Sequence, residues 1–258
     1  MFSAYEGLRM AKEAKMESYN SRSVSEILEA YVGNLIAESN FFSDLSSGRV
    51  NPEDVRGVFG QYYLWRNQFH RWFGICVARS APFGESPNVP RILGELIECL
   101  GQEIREDHHG LALSFLAALG IDDPSRITAL PVTDIYAESF LRCYFSGNRS
   151  GDEALAALAG RELAVPGRNR VILSALPEHY GVTSGLEFFG LHNTIEVAHF
   201  RGLWEAMAYD HKADTRRLIE AARLEIWEHI TFWDDVYCAI LEARSELSAP
   251  LRSAPGHA

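Results

Sequence analysis

Gly190-Leu191-His192-Asn193-Thr194-Ile195-Glu196-Val197-Ala198-His199 is the stretch from which the rest of the chain is best read. His192, Glu196 and His199 stand at i, i+4 and i+7, so on a helix of 3.6 residues per turn they share one face. Leu186, Phe188, Phe189, Leu191, Ile195, Val197, Phe200 and Leu203 put apolar residues on more than one side of that helix, which predicts extensive burial. Two imidazoles and a carboxylate on a buried face are costly to desolvate unless they pair with one another or bind a cation. Nitrogen and oxygen donors of this kind suit iron, manganese or zinc. Which of the two outcomes holds depends on what the other helices bring to the same face.

The chain around this stretch has 258 residues, 47% hydrophobic and 23% charged, enough for one domain with a sizeable core. The net charge of −11 argues against a nucleic-acid partner and against docking on anionic membrane. The start, Met1 to Glu6, has no basic segment followed by an apolar one, and no run reaches the roughly 18 apolar residues of a membrane span. Cys76, Cys99, Cys143 and Cys238 are far apart and fit no disulfide framework or metal-binding spacing, so a cytoplasmic location is expected.

Helical patterning runs through the chain. Ser23 or Ser25 can cap a helix reaching about Leu45, and Asn51-Pro52-Glu53-Asp54 starts another that runs to about Ala78. The second is rich in aromatic residues, from Phe59 to Phe73. Residues 80–90, with three prolines and a glycine, read as a loop. Further helices are expected over 91–119 (with a break near Gly101), 133–146, 151–180 (interrupted at Pro166-Gly167), 184–208 and 212–245. Residues 1–20 read as a short helix or loose arm. No strand or repeat is predicted. The expected class is all-α, a bundle of about seven helices.

Glu98, His108, His109 and Glu162 lie on helices able to face this stretch, whereas Glu103 and Glu106, taken singly, read as ordinary surface acids. The chain here resembles the haem-oxygenase-like di-iron oxidases and oxygenases, relatives of the TenA and PqqC folds. The resemblance covers about residues 25–240. It rests on Ser39 to Arg49 with Gln61-Tyr62-Tyr63, on His108-His109-Gly110-Leu111 with Phe115 and Ala118-Leu119-Gly120, and on Glu162 with Pro166 and Tyr180-Gly181. The fourth element is His192-x-x-x-Glu196-x-x-His199, similar to a His-x-x-x-Asp-x-x-His pattern in the family.

The resemblance implies a haem-oxygenase-like domain over residues 1–247; residues 248–258, rich in Pro, Ser and Ala, read from composition as a disordered tail. It implies Glu98, His108, Glu162, His192, Glu196 and His199 as ligands of two Fe(II) ions, with O2 as co-substrate. The implied activity is oxidation of a small amine, amino acid or carboxylic acid in specialised metabolism. Glu196 departs from the family's Asp. Ile172 stands where the branch that consumes its own side chains needs Lys, which disfavours that activity.

Other readings compete. On an unbroken third helix, Glu106 and His109 would share the inner face instead. A ferritin-like site would use Glu106-x-x-His109 and Glu196-x-x-His199 with Glu38 and Glu162. A true haem oxygenase needs an axial His on its first helix, and residues 1–69 contain none. A metal-free TenA- or PqqC-like enzyme, in which Cys143-Tyr144 would matter, and a non-catalytic helical partner protein complete the set. Tyr63, His70, Phe189 and Arg105 are expected substrate contacts, with Arg142 or Arg201 as further carboxylate binders. The expected partner is a small molecule, and a homodimer is compatible with the fold.

Overall fold

The computed structural model describes residues 21–208 and 215–248. The arm expected at 1–20 and the tail from 249 onward lie outside the described residues. The helices are α1 (Ser21–Glu38), α2 (Asn40–Ser46), α3 (Pro52–Arg66), α4 (Phe69–Arg79), α5 (Val89–Arg105), α6 (His108–Ala118), α7 (Pro131–Phe140), α8 (Gly151–Tyr180), α9 (Glu187–Ala208) and α10 (Thr215–Ser248). A 3-10 turn, Pro124–Arg126, precedes α7, and a π turn, Leu141–Phe145, extends it. Helix is the only regular structure among the described residues, as the all-α reading requires. No helix among them is long and apolar enough to cross a membrane.

The described helices outnumber the predicted ones because three long helical patterns are each cut once. Between α1 and α2 the cut is made by Ser39, whose hydroxyl accepts from the Phe42 amide and donates to Asp234 on α10. The same Asp234 oxygen accepts the Phe41 amide. The partner that fixes this helix start is thus distant in sequence and invisible to local periodicity. Between α3 and α4 the chain bends at Asn67-Gln68, and between α5 and α6 at Glu106-Asp107.

The opposite happens in α8. It runs unbroken through Pro166 and Pro177. A helical proline removes one N–H, here the donor to the Glu162 carbonyl, but tertiary packing can outweigh that loss. α8 starts with a reciprocal capping box between Ser150 and Glu153 and stops at Gly181, whose φ of 68° is the left-handed conformation usual after a helix end. It packs against α1, α2, α4, α9 and α10 and so forms the centre of the bundle.

The aromatic α3 faces this centre. Tyr62 stacks on Trp233 with ring centroids 4.7 Å apart, Trp65 stacks on Phe232 at 4.2 Å, and Phe59 meets Phe115, Phe189 and Trp233 edge-on. Trp227 of α10 is exposed.

Candidate metal centre

α9 carries its three polar residues inward: His192, Glu196 and His199 are all buried. They divide between two clusters. Glu103, at the end of α5, joins His108, at the start of α6, and His192; Glu162 of α8 joins Glu196 and His199. Within each cluster one potential ligand atom per residue lies within 4.8 Å of the others.

In the first cluster Glu103 Oε1 is 2.9 Å from His108 Nδ1 and 3.4 Å from His192 Nε2. Glu103 Oε2 accepts from the Arg66 guanidinium at 2.5 Å, which fixes the carboxylate and leaves Oε1 for the imidazoles. His192 Nδ1 lies 2.6 Å from the Phe188 carbonyl. A carbonyl can only accept, so Nδ1 carries the proton and Nε2 keeps its lone pair toward Glu103. In the second cluster His199 Nε2 meets Gln102 Oε1 at 2.6 Å, and its Nδ1 faces Glu196 Oε2 at 2.8 Å and Glu162 Oε2 at 3.6 Å. Both α9 imidazoles are thus oriented through one nitrogen so that the other faces carboxylate oxygen, the arrangement usual behind metal-bound histidines.

Glu196 joins the clusters. Its Oε2 faces His199, while its Oε1 lies 3.8 Å from His192 Nε2. Electrostatics favour a cation between these groups. Burial, and then the neighbouring charge of Glu162, push the Glu196 carboxyl well above the ordinary carboxylate range. Burial would lower the affinity of His199 for a proton, but hydrogen bonds to Cys99, Glu162 and Glu196 outweigh it and raise it above the ordinary imidazole range. Burial would raise Glu103 too, yet His108, His192 and Arg66 prevail and hold it below the usual range. His108 Nδ1 is buried without a hydrogen-bond partner, since the nearby Glu103 oxygen is off the line of an N–H bond. An orphaned ring nitrogen and crowded carboxylates fit two bound cations.

Five of the six ligands implied by the resemblance thus converge: His108, Glu162, His192, Glu196 and His199. Glu98 does not. Its side chain is exposed and pairs with exposed Arg105 at 2.7 Å. Glu103 stands in its place, and the reason is the break after α5. Five residues of continuous helix would turn Glu103 and His108 about 140° apart. Asp107 adopts φ 48°, in the left-handed region, and caps α6 by accepting from the Gly110 amide. That turn swings His108 back toward Glu103.

Glu106 and His109 are exposed, as is Glu38, so neither the alternative third-helix pair nor the ferritin-like set assembles. Among the expected substrate contacts, His70 is exposed and Arg105 is engaged with Glu98. Phe189 is fully buried in the aromatic core, and Tyr63 borders a small cavity with Arg66 and Phe188. Arg142 and Arg201 are also exposed.

A separate cavity reaches the clusters themselves. Glu103, Glu162, His192 and Glu196 line it together with Arg161, Arg168 and His229 and with Tyr62, Trp65, Phe69, Trp72 and Phe188. Sequence reading passed over Arg161, Arg168, Glu225 and His229. The signal available was the i, i+4 spacing of Glu225 and His229 on the apolar face of α10, the same spacing that drew attention to His192 and Glu196.

Comparison with known proteins agrees with this architecture. No curated protein matches the chain. A TenA homologue from Pseudomonas syringae pv. tomato superposes with a TM-score of 0.66 at 14% identity, covering 86% of this chain and 94% of its own. A domain of unknown function with a haem-oxygenase-like fold from Shewanella denitrificans gives 0.64 at 13%, covering 93% and 99%. A putative TenA-like thiaminase from Sulfolobus solfataricus gives 0.53 at 18%, covering 83% and 95%. At such identities these likenesses establish the fold alone. Residues 56–234, from α3 into α10, also match a haem-oxygenase-type family described as iron-containing redox enzyme. With that match spanning most of the bundle, the chain belongs to the haem-oxygenase-like family of iron-containing redox enzymes.

Proposed function

We propose that the chain is a non-haem di-iron enzyme that uses O2 to oxidise a small amine, amino acid or carboxylic acid, by N-oxygenation, oxidative decarboxylation or C–C cleavage. The observation that carries this reading is Glu196, one carboxylate with an oxygen toward each of two buried triads. Glu103 with His108 and His192 would hold one metal, and Glu162 with His199 the other, with Glu196 shared. Three carboxylates would offset most of the charge of two divalent ions, while the imidazoles suit iron over magnesium or calcium. When bound, a pair of Fe(II) ions supplies the electrons for reducing O2.

The chain's own residues do the rest. Arg66, Gln102 and the Phe188 carbonyl fix the orientation of Glu103, His199 and His192. The aromatic lining of the adjoining cavity excludes water and packs against substrate. A metal-free reaction centred on Cys143 has less support, because that cysteine does not line the cavity and burial pushes its thiol up.

Oxygen consumption tests the reading. The anaerobically Fe(II)-loaded protein, mixed with O2, is expected to take up O2 in a rapid phase absent from the iron-free protein. Glu196→Ala should slow that phase at least tenfold while leaving the helical content unchanged. Glu196→Asp should retain it. Uptake at the normal rate by Glu196→Ala, or equal uptake with and without iron, would overturn the proposal.

A further inference from the structure

The cavity beside the triads is bordered by two buried arginines with more N–H donors than acceptors. Arg161 and Arg168 of α8 are 3% and 2% exposed. Arg161 Nη2 donates to Glu225, while its Nε and Nη1 have no partner. Arg168 Nε donates to His229 Nε2 at 2.8 Å and its Nη2 to the Tyr62 hydroxyl at 2.7 Å; its Nη1 has no partner. An imidazole nitrogen that accepts from a guanidinium is unprotonated, so His229 is neutral here. Both acceptors of Arg168 are therefore uncharged.

Of these two buried guanidiniums, Arg161 pairs with a carboxylate, Glu225, and Arg168 does not. Burial pushes even that group up to about 7, although Arg161 opposes the shift, so its counter-charge is incomplete at neutral pH. Arg66, the third arginine of the cavity, is matched by Glu103. A buried cation without an anion is expensive unless a ligand supplies one.

The form of that ligand follows from the walls. The Arg161 guanidinium lies over the Trp72 ring, 3.5 Å from its centroid, and 4.7 Å from that of Trp65. Stacking of this kind leaves the N–H edge of a guanidinium as its binding surface. The cavity is small, about 60 Å³, and largely aromatic on its remaining sides. Unpartnered guanidinium N–H groups in an enclosure that also contains the Glu103, Glu162 and Glu196 carboxylates suit a monoanion with an apolar body. A phosphate dianion would bring too much charge.

We infer that Arg168, assisted by Arg161, binds the carboxylate of a monocarboxylic acid whose apolar body lies along Trp65, Phe69, Trp72 and Phe188 in the cavity that reaches the triads. The inference rests on the oxidase reading only in making this acid the substrate; its binding does not depend on iron.

Calorimetric titration of the iron-free protein tests it. The probes are the straight-chain acids from butanoate to decanoate, the alcohols of the same lengths, and inorganic phosphate. At least one acid should bind saturably and at least tenfold more tightly than its alcohol, with phosphate failing to compete. Arg168→Gln should weaken that acid at least tenfold and retain wild-type iron stoichiometry, which separates lost binding from a lost fold. Glu225→Gln keeps the shape of its side chain and removes the counter-charge, so it should tighten acid binding.

Equal affinity for acid and alcohol, no acid bound, effective competition by phosphate, or unchanged affinity in Arg168→Gln would each overturn the inference. Acid binding without iron-dependent O2 uptake would support the site and overturn the oxidase reading alone. Uptake without acid binding would do the reverse.

Discussion

Glu103 shows how one side chain can be decisive and still look ordinary. As a single acid in Gln102-Glu103-Ile104-Arg105-Glu106 it reads as part of a solvated face. Its role appears only once Arg66 holds one oxygen and two imidazoles meet the other. His229 is a similar case, and it yields a pH prediction. Burial, followed by the charges of Arg168 and Arg161, holds its imidazole well below the ordinary range. The folded state therefore stays unprotonated at His229, while the unfolded chain takes up a proton below about pH 6.5. Proton binding by the unfolded state means that His229 costs stability as pH falls below that point. His229→Gln retains an acceptor for Arg168 and removes the titration. Relative to this variant, the wild-type protein should lose up to about 1.4 kcal/mol per pH unit between pH 6 and 5. Chemical denaturation of both proteins across pH 5 to 8 checks it; a constant difference would contradict the buried neutral imidazole.

At the level of helices, the central contact is the close approach of α8 to α10. A Cβ built at Gly160 would stand 2.6 Å from the Ala222 carbonyl oxygen and 2.8 Å from its Cα, both backbone atoms that cannot turn aside. Gly160→Ala should cost about 1–3 kcal/mol through this overlap, despite the better helix propensity of alanine. It should also weaken metal binding, because Glu162 follows two residues later. Gly33 of α1 has nothing within 4 Å of its built Cβ, so Gly33→Ala should stabilise by about 0.5–1 kcal/mol. Thermal melts of the two variants should move in opposite directions, and a stabilising Gly160→Ala would contradict the packing. Helix identity and the inward face of α9 were legible from the sequence because both depend on local periodicity. The break at Asp107 was not. A non-glycine residue in the left-handed region leaves no glycine or proline mark, and without that break Glu98 is as plausible a ligand as Glu103.

Across the whole molecule, helices far apart in sequence supply the two triads. α5 and α6 give Glu103 and His108, α8 gives Glu162, and α9 gives the rest. The fold class was readable at this scale because the helical pattern persists along the chain. The arginine-lined wall was not, since Arg161, Arg168, Glu225 and His229 acquire meaning only when α8 and α10 are packed together. The central claim is that this packing builds two adjoining metal sites, and diffraction at the iron absorption edge tests it most directly. Crystals grown anaerobically with excess Fe(II) should give two anomalous peaks per chain. One should be in contact with Glu103, His108 and His192, the other with Glu162, Glu196 and His199, and Glu196 should reach both. A single peak, or peaks away from these six residues, would contradict the account.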